Sequence, residues 1–197
     1  MKDRPSVSLW SDISNALKGE LGSITGAPAK GVFIVFEGGE GIGKTTQAKL
    51  LKAWLEQEDE VVVLSREPGG SELGVEIRKI LLSHSTGEIS PRAEALLYAA
   101  DRAHHVHSVI RPALAQGDVV ISDRYFDSSI AYQGAGRILQ PGEVARISRC
   151  ATESLFPTLT IIIDLQPQVG LARLKSKIAL NHNQWIFMSV CAKSSCS

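Results

Sequence analysis

The sequence has little cysteine, no excess charge and no long apolar run. Its three cysteines, Cys150, Cys191 and Cys196, have no C-x-x-C spacing, which argues against a disulfide framework and against a zinc knuckle. Lysine plus arginine (21) balance aspartate plus glutamate (21), so no net charge draws the chain to nucleic acid or to an anionic membrane. The apolar runs are shorter than a membrane span, and Asp3 and Pro5 interrupt the stretch that a signal peptide needs. These absences predict a protein of the reducing cytoplasm that binds neither nucleic acid nor membrane.

The composition that remains is that of a soluble globular domain, with 44% apolar and 21% charged residues. Residues 1–30 are rich in serine, glycine and proline and are predicted to form a flexible N-terminal appendage. Residues 31–180 are predicted to form the folded domain, and residues 181–197 an atypical C-terminal tail.

Short apolar runs alternate with longer helical patterns across the predicted domain. The apolar runs are continuous rather than alternating, which predicts parallel strands covered by helices on both faces. Strands are predicted in VFIVF (32–36), VVVLS (61–65), VVIS (119–122) and LTIIID (159–164), and helices over 44–58, 72–83, 91–116 and 141–155. The predicted fold class is therefore α/β, a doubly wound parallel sheet with ligands bound outside the carboxyl ends of its strands.

The stretch FEGGEGIGKTT (36–46) contains the pattern G-x-x-x-x-G-K-[ST] between a predicted strand and a predicted helix. In such a loop backbone N–H groups converge on phosphate oxygens, Lys44 bridges the outer phosphates, and the Thr45 hydroxyl can bind Mg²⁺. The flanking strand and helix favour a nucleoside triphosphate site over a chance glycine turn. The predicted ATP-binding residues are Gly38, Gly39, Glu40, Gly41, Ile42, Gly43, Lys44, Thr45 and Thr46.

Charged residues elsewhere indicate a metal and a second substrate. Asp123 ends a predicted strand, as does the acidic residue that holds Mg²⁺ in P-loop enzymes; a helix cap or an ion pair is the alternative. No N-K-x-D or D-x-x-G motif follows the loop, which argues against a GTPase. Arginine binds phosphate bidentately, so four arginines able to face one cleft suit a phosphorylated acceptor. These are Arg66, Arg78, Arg102 and Arg124.

Five segments, in order from Val32 to Arg173, resemble the signatures of the bacterial thymidylate kinase family. They are FIVFEGGEGIGKTTQ, REPGGSELGVEIRKILL, ALLYAADRAHHV, VVISDRYFDSSIAYQGAGR and IIIDLQPQVGLAR. The resemblance implies a P-loop nucleoside monophosphate kinase-like fold and a cytoplasmic homodimer. It also implies a transferase of dTTP biosynthesis that uses ATP and Mg²⁺ to phosphorylate dTMP.

The resemblance implies roles for several residues at the dTMP phosphate and sugar. Glu40 would accept a hydrogen bond from the 3′-hydroxyl and help to place Mg²⁺. Arg78 would hold the dTMP phosphate in a loop shaped by Glu67 and Pro68. Arg124 would bind the transferring or the acceptor phosphate. The implied catalytic residues are Lys44, Asp123 and Arg124, with Asp123 acting on the metal and not as a general base.

A further group of residues is implied to recognise the base. Tyr98 would stack on thymine and Arg102 would bond its exocyclic oxygen, and a spacing of four puts both on one helix face. A core aromatic is the alternative for Tyr98. Ser129 and Gln133 would read the base edge, with helix capping and surface solvation as the alternative, and Tyr132 would pack beside the sugar.

Three histidines on the same predicted helix invite a metal-site interpretation. On that helix His104, His105 and His107 are instead predicted to lie on a solvated face, with a metal site as the alternative.

The sequence departs from the family after GLARLKSK (170–177). Relatives with an arginine-free P-loop carry charge-stabilising arginines on a mobile lid, whereas residues 178–197 contain no arginine. The lid and the last strand and helix are thus predicted to be missing or replaced, with Arg173, Lys175 and Lys177 as stand-ins. Without that last strand, the strand predicted at 159–164 would be an exposed edge of the sheet. WIFMSV (185–190) could cover it as a strand, and a disordered tail is the alternative.

Two other functions are left open by the sequence. One is a nucleotide-binding protein with weak turnover. The other is a different P-loop nucleoside or nucleotide kinase; for a nucleoside acceptor Arg78 argues against it, because a neutral acceptor needs no such arginine.

Overall fold

The computed structural model describes residues 31–83, 87–129 and 141–173. The predictions for Tyr132, Gln133, Lys175 and Lys177 lie outside the described residues, as do those for the N-terminal appendage and the C-terminal tail.

Four parallel strands form the sheet of the described residues, in the order β2-β3-β1-β4. In the register of the sheet, Asp123 of β3 lies beside both Phe36 of β1 and Arg66 of β2. The carboxyl ends of three strands therefore meet at one edge, where a doubly wound fold places its ligands. The strands are β1 (Val32–Glu37), β2 (Val62–Arg66), β3 (Val119–Asp123) and β4 (Leu159–Ile162).

The helices begin and end close to the predicted positions, with one exception. The predicted helix 91–116 is interrupted by a wider π-helical turn at Val106–Ile110. This turn directly precedes Arg111 and Pro112, and proline has no N–H to continue an α-helical ladder. The helices are α1 (Lys44–Gln57), α2 (Glu72–Leu82), α3 (Pro91–His105), α4 (Arg111–Gln116), α5 (Phe126–Ser129), α6 (Pro141–Thr152) and α7 (Pro167–Arg173).

Burial differs between the inner and the outer strands. Every residue of β1 is buried, as are four of the five residues of β3. The prediction of burial on both faces is wrong for β2 and β4, since only Val62 of β2 is buried and Ile162 of β4 is 73% exposed. These two strands each have one hydrogen-bonded neighbour within the described ranges, which leaves them less covered. None of the helices in those ranges combines the length and hydrophobicity that crossing a bilayer requires.

Candidate active site

The first lysine of α1 bonds back across the loop between β1 and α1. Gly43 caps α1 with a φ of 103°, a left-handed conformation that residues with a side chain rarely adopt. Lys44 is buried, and its Nζ donates a hydrogen bond to the Gly39 carbonyl oxygen at 2.5 Å. Burial, and secondly the charge of Arg124, lower the pKa of Lys44 to about 8. A nearby anion would raise this pKa again, so a buried ammonium in a glycine loop is suited to an anionic ligand.

Two oxygen ligands lie side by side at the start of α1. The Thr45 hydroxyl donates a hydrogen bond to Oδ2 of Asp123, at the carboxyl end of β3. A hydroxyl and a carboxylate are hard oxygen donors of the kind that Mg²⁺ prefers. The pair therefore fits the ion that the sequence implies.

Arg124 explains the carboxylate in the phosphate loop. Its guanidinium forms an ion pair with Oε1 of Glu40 and donates hydrogen bonds to the Gly38 carbonyl oxygen at 2.9 Å and to Ser128 Oγ at 3.1 Å. The charge of Glu40 is thus opposed by an arginine of the next strand end. This arrangement reduces the repulsion that a nearby phosphate would otherwise meet.

A buried carboxylate anchors the loop that follows β3. Glu37 is 5% exposed and accepts hydrogen bonds from the backbone N–H groups of Tyr125 (2.9 Å) and Ser128 (3.3 Å). Its other oxygen accepts the Ser128 hydroxyl. Burial raises the pKa of Glu37, against the lowering effect of these hydrogen bonds. The role of Glu37 was not predicted, although an acidic residue ending an apolar strand was a visible signal.

The REPGG loop after β2 is held at both sides. The N–H of Glu67 donates to the Asp123 carbonyl oxygen at 3.0 Å, and Arg78 Nη1 donates to the Pro68 carbonyl oxygen at 2.7 Å. The Glu67–Pro68 peptide bond is cis. The serine that follows, Ser71, caps α2 by accepting a hydrogen bond from the Gly74 N–H. Arg78 of α2 is therefore held against the backbone of this loop at the cleft wall.

Arg102 and His105 of α3 meet the same glutamate. Arg102 Nε lies 2.7 Å from Oε2 of Glu67, and His105 Nδ1 lies 3.0 Å from Oε1, with all three side chains at most 2% exposed. The prediction of a solvated histidine face is therefore wrong for His105. It fails because its partner comes from a loop that is 38 residues away in sequence.

These elements enclose one cleft of about 1010 Å³. The lining includes the carboxyl ends of β2 and β3, the start of α1 and the inner face of α3. All four arginines that were expected to share a cleft line it. The lining residues predicted as site residues are Glu40, Gly41, Gly43, Lys44, Thr45, Thr46, Glu67, Pro68, Arg78, Tyr98, Arg102, Asp123, Arg124 and Ser129.

Three predicted phosphate-loop residues do not line the cleft, and some residues that line it were not predicted. Ile42 is 6% exposed and belongs to the core, and neither it nor Gly38 or Gly39 lines the cleft. Sequence reasoning missed the wall formed by the end of α2 and the loop after it, which includes Leu82 and Glu88. No motif marks that wall, since its residues reach the cleft only through the packing of α2 on α3.

A phosphate loop at the carboxyl ends of parallel strands, facing an arginine-lined pocket, defines a P-loop kinase fold of the nucleoside monophosphate kinase type. The family model described as thymidylate kinase matches residues 36–189. The thymidylate kinase of Clavibacter michiganensis subsp. michiganensis is 61% identical over 144 residues, covering 73% of this chain and 68% of that protein. The thymidylate kinase of Leifsonia xyli subsp. xyli is 60% identical over 146 residues, covering 74% and 69%.

The crystal structure of thymidylate kinase from Ehrlichia chaffeensis superposes with a TM-score of 0.66 at 32% identity, covering 84% of this chain and 89% of that one. The chain belongs to the thymidylate kinase family. The predicted family and the predicted α/β P-loop kinase fold are both confirmed.

Proposed function

We propose that the protein transfers the γ-phosphoryl group of ATP to dTMP, giving ADP and dTDP for dTTP biosynthesis in the cytoplasm. The observation that carries the proposal is that a single cleft is lined both by a phosphate loop and by an arginine-rich pocket with an aromatic wall. Transfer between two nucleotides needs both binding surfaces to face each other across one cavity.

The phosphate loop would hold the donor nucleotide. Residues 38–46 would surround the ATP phosphates, with Lys44 as the cation of the loop and the amino end of α1 adding positive potential. Thr45 and Asp123 would hold Mg²⁺, directly or through water. When bound, Mg²⁺ supplies charge that stabilises the phosphates and orients them.

The acceptor phosphate would lie between two arginines. Arg78, held on the Pro68 carbonyl, and Arg124, paired with Glu40, both line the cleft. Bidentate arginine contacts suit a monophosphate better than a neutral nucleoside. Glu40 would exchange part of its contact with Arg124 for the 3′-hydroxyl of dTMP, which would favour an acceptor without a 3′-phosphate.

The base would lie along α3. Tyr98 is half-buried in the cleft wall, one turn before Arg102. Arg102 has five N–H groups, of which four donate to Glu67, Ser148, Ser129 and the Tyr125 carbonyl oxygen. Among the described residues the second Nη1–H has no acceptor, and it would donate to an exocyclic oxygen of thymine. Ser129 would lie at the base edge through its bond with Arg102, and Tyr132 and Gln133 would complete the pocket.

Reaction in this cleft needs little covalent chemistry from the protein. Phosphoryl transfer depends on in-line positioning of the two nucleotides and on cations around the developing charge. Lys44 would approach this charge from the donor side and Arg124 from the acceptor side. Asp123, engaged with Thr45, has no role as a proton acceptor in this scheme.

The test is ADP release measured with dTMP, dUMP and thymidine, together with calorimetric binding of dTMP. Turnover with dTMP above the other two acceptors supports the proposal. Failure to bind dTMP contradicts the assignments at Tyr98 and Arg102.

A second function, nucleotide binding with little turnover, is favoured by one observation: residues 174–197 contain no arginine. Tight dTMP and ATP binding without ADP release would support it. A chimera carrying an arginine-bearing lid segment would then recover the rate, by about a thousandfold if the missing charge is the defect.

We also propose a homodimer. Exposed apolar side chains on α2 and α3 that do not line the cleft support it, including Leu73 (48% exposed), Val75 (39%) and Leu96 (52%). Light scattering coupled to size-exclusion chromatography should give twice the mass of one chain. A monomer at micromolar concentration would contradict the proposal.

A further inference from the structure

A chain of buried polar groups runs from the end of β2 to the proposed base pocket. His105 Nε2 lies 2.6 Å from Oγ of Ser65, and its Nδ1 lies 3.0 Å from Oε1 of Glu67. Oε2 of the same glutamate accepts the Nε–H of Arg102 at 2.7 Å. His105 is completely buried and does not line the cleft. It therefore acts on any ligand only through its neighbours, of which Ser65 and Glu67 line the cleft.

The contacts determine where the histidine carries a proton. An ionised carboxylate is only an acceptor, so Nδ1 of His105 must be the donor to Glu67. In the neutral tautomer Nε2 then accepts the Ser65 hydroxyl, and in the charged form it donates to the same oxygen. In both forms each oxygen of Glu67 has its own donor, one from His105 and one from Arg102.

Each of these donors restricts the carboxylate. With both oxygens bonded, the Glu67 carboxylate cannot rotate without losing a buried hydrogen bond. Glu67 in turn orients the guanidinium of Arg102, whose Nη2 also donates to Ser129 at 2.8 Å. Removal of the His105 donor would leave one Glu67 oxygen buried without that partner and would release this restraint.

We propose that His105 is a positioning residue for dTMP recognition, acting through Glu67 to hold Arg102 in the orientation that presents its remaining N–H to the base. The proposal rests on the proposed function. The histidine also supports the loop that carries the phosphate pocket. A Cβ at Gly70 would lie 2.5 Å from both His105 Nε2 and Ser65 Oγ, so the loop backbone packs directly on the pair.

Three substitutions of His105 separate positioning from filling space. The amide nitrogen of asparagine in His105→Asn stands near the position of Nδ1 and keeps the donor to Glu67. The longer amide of His105→Gln reaches towards Ser65 instead, and His105→Leu removes both contacts. His107→Leu is the matched control, since His107 lies in the adjoining turn and is exposed.

The measurements are the Kd of dTMP by calorimetry, and KM and kcat for each substrate. We expect His105→Gln and His105→Leu to weaken dTMP binding by about tenfold, the value of one buried hydrogen bond to a charged group. His105→Asn should stay within about threefold of the wild type, because the donor to Glu67 is kept. His107→Leu should bind dTMP as the wild type does, because it leaves His105 intact. The KM of ATP should not change, because none of Ser65, His105, Glu67 and Arg102 belongs to the phosphate loop.

Each contrary result has a distinct meaning. If all three His105 variants bind dTMP as the wild type does while their melting temperatures fall, the histidine is only structural and the inference is wrong. If asparagine is no better than leucine, the Nδ1 contact is not the one that matters. If the wild type itself does not bind dTMP, the proposed function fails and the inference fails with it.

A variant of Ser65 keeps the inference testable if the His105 variants do not fold. Ser65→Ala removes the partner of Nε2 and leaves the Glu67 contact in place. We expect it to weaken dTMP binding by about threefold with the KM of ATP unchanged, since a neutral hydrogen bond contributes less than a charged one. Unchanged dTMP affinity in Ser65→Ala, with His105→Leu unfolded, would overturn the inference.

Discussion

Glu67→Gln tests the buried ion pair directly, and the protein contains a matched control. The Glu67–Arg102 and Glu76–Lys79 pairs have the same N–O distance, 2.7 Å. They differ in burial, since the side chains of the first pair are 2% exposed and those of the second are 66% and 64% exposed. The same substitution in both pairs therefore compares a buried glutamate, which also holds His105, with an exposed one.

The expected loss follows from what glutamine presents to its two neighbours. Its amide oxygen can accept from Arg102 or from His105, and its amide N–H₂ group then faces the other donor. Arg102 is also left without its buried countercharge, which costs about 3–5 kcal/mol. A partial offset comes from Asp101, because burial and, secondly, the charge of Glu67 raise the pKa of that carboxyl. We therefore expect about 3 kcal/mol for Glu67→Gln and less than about 1 kcal/mol for Glu76→Gln.

The assay is urea unfolding at pH 7 followed by circular dichroism, with thermal melting as a second measurement. At about 2–4 °C per kcal/mol for a domain of this size, Glu67→Gln should melt about 6–12 °C below the wild type. A Glu67→Gln variant that loses no more stability than Glu76→Gln would refute the reasoning. It would mean that Arg102 finds other partners at no cost.

Three further predictions concern the cleft and its walls. Burial lowers the pKa of Lys44 from 10.5 to about 8, so between those values the unfolded chain binds more protons and stability rises with pH, by up to about 3 kcal/mol. For the Lys44→Met variant, the melting temperature measured from pH 8 to 10.5 should lack this rise. An identical rise in the variant would contradict the assignment. Gly70→Ala should cost about 1–3 kcal/mol by overpacking, because its Cβ would lie 2.7 Å from the backbone oxygen of Arg66. Gly142→Ala is its control, since a Cβ there meets nothing within 4 Å, and equal denaturation midpoints for the two variants would count against the close packing. Tyr98→Phe keeps the ring and should bind dTMP within about twofold of the wild type, whereas Tyr98→Ala should lose about 1–3 kcal/mol of stacking by calorimetry. Equal losses in phenylalanine and alanine would show that the hydroxyl is the contact and not the ring.

Local patterns were sufficient for the elements that depend on neighbouring residues. The apolar run at Val32–Glu37 and the glycines after it predicted a strand, a phosphate loop and a helix that begins at Lys44, and the structure has all three. Each of these features depends on residues a few positions apart, since glycine conformation and helix initiation are short-range properties. The outer strands β2 and β4 were predicted less well, because sheet order decides which apolar run is covered.

The buried charges were the larger omission. Glu67 is 35 residues from Arg102 in sequence, and Ser65 is 40 residues from His105. A histidine on a helix has the same sequence appearance whether it faces solvent or a carboxylate from a distant loop. Glu37 was missed for the same reason, as its partners come from the loop after β3.

By itself, then, the sequence determined the class of protein, the phosphate loop and the residues proposed to meet each nucleotide, because these reside in short motifs whose order along the chain identifies the family. Only the tertiary structure decided that Arg124 neutralises Glu40, that Glu37 anchors the loop after β3 and that His105 is buried against Glu67. Charges that lie far apart in sequence meet only when the sheet brings the carboxyl ends of its strands to one edge. Their energies depend on burial, which no local pattern records.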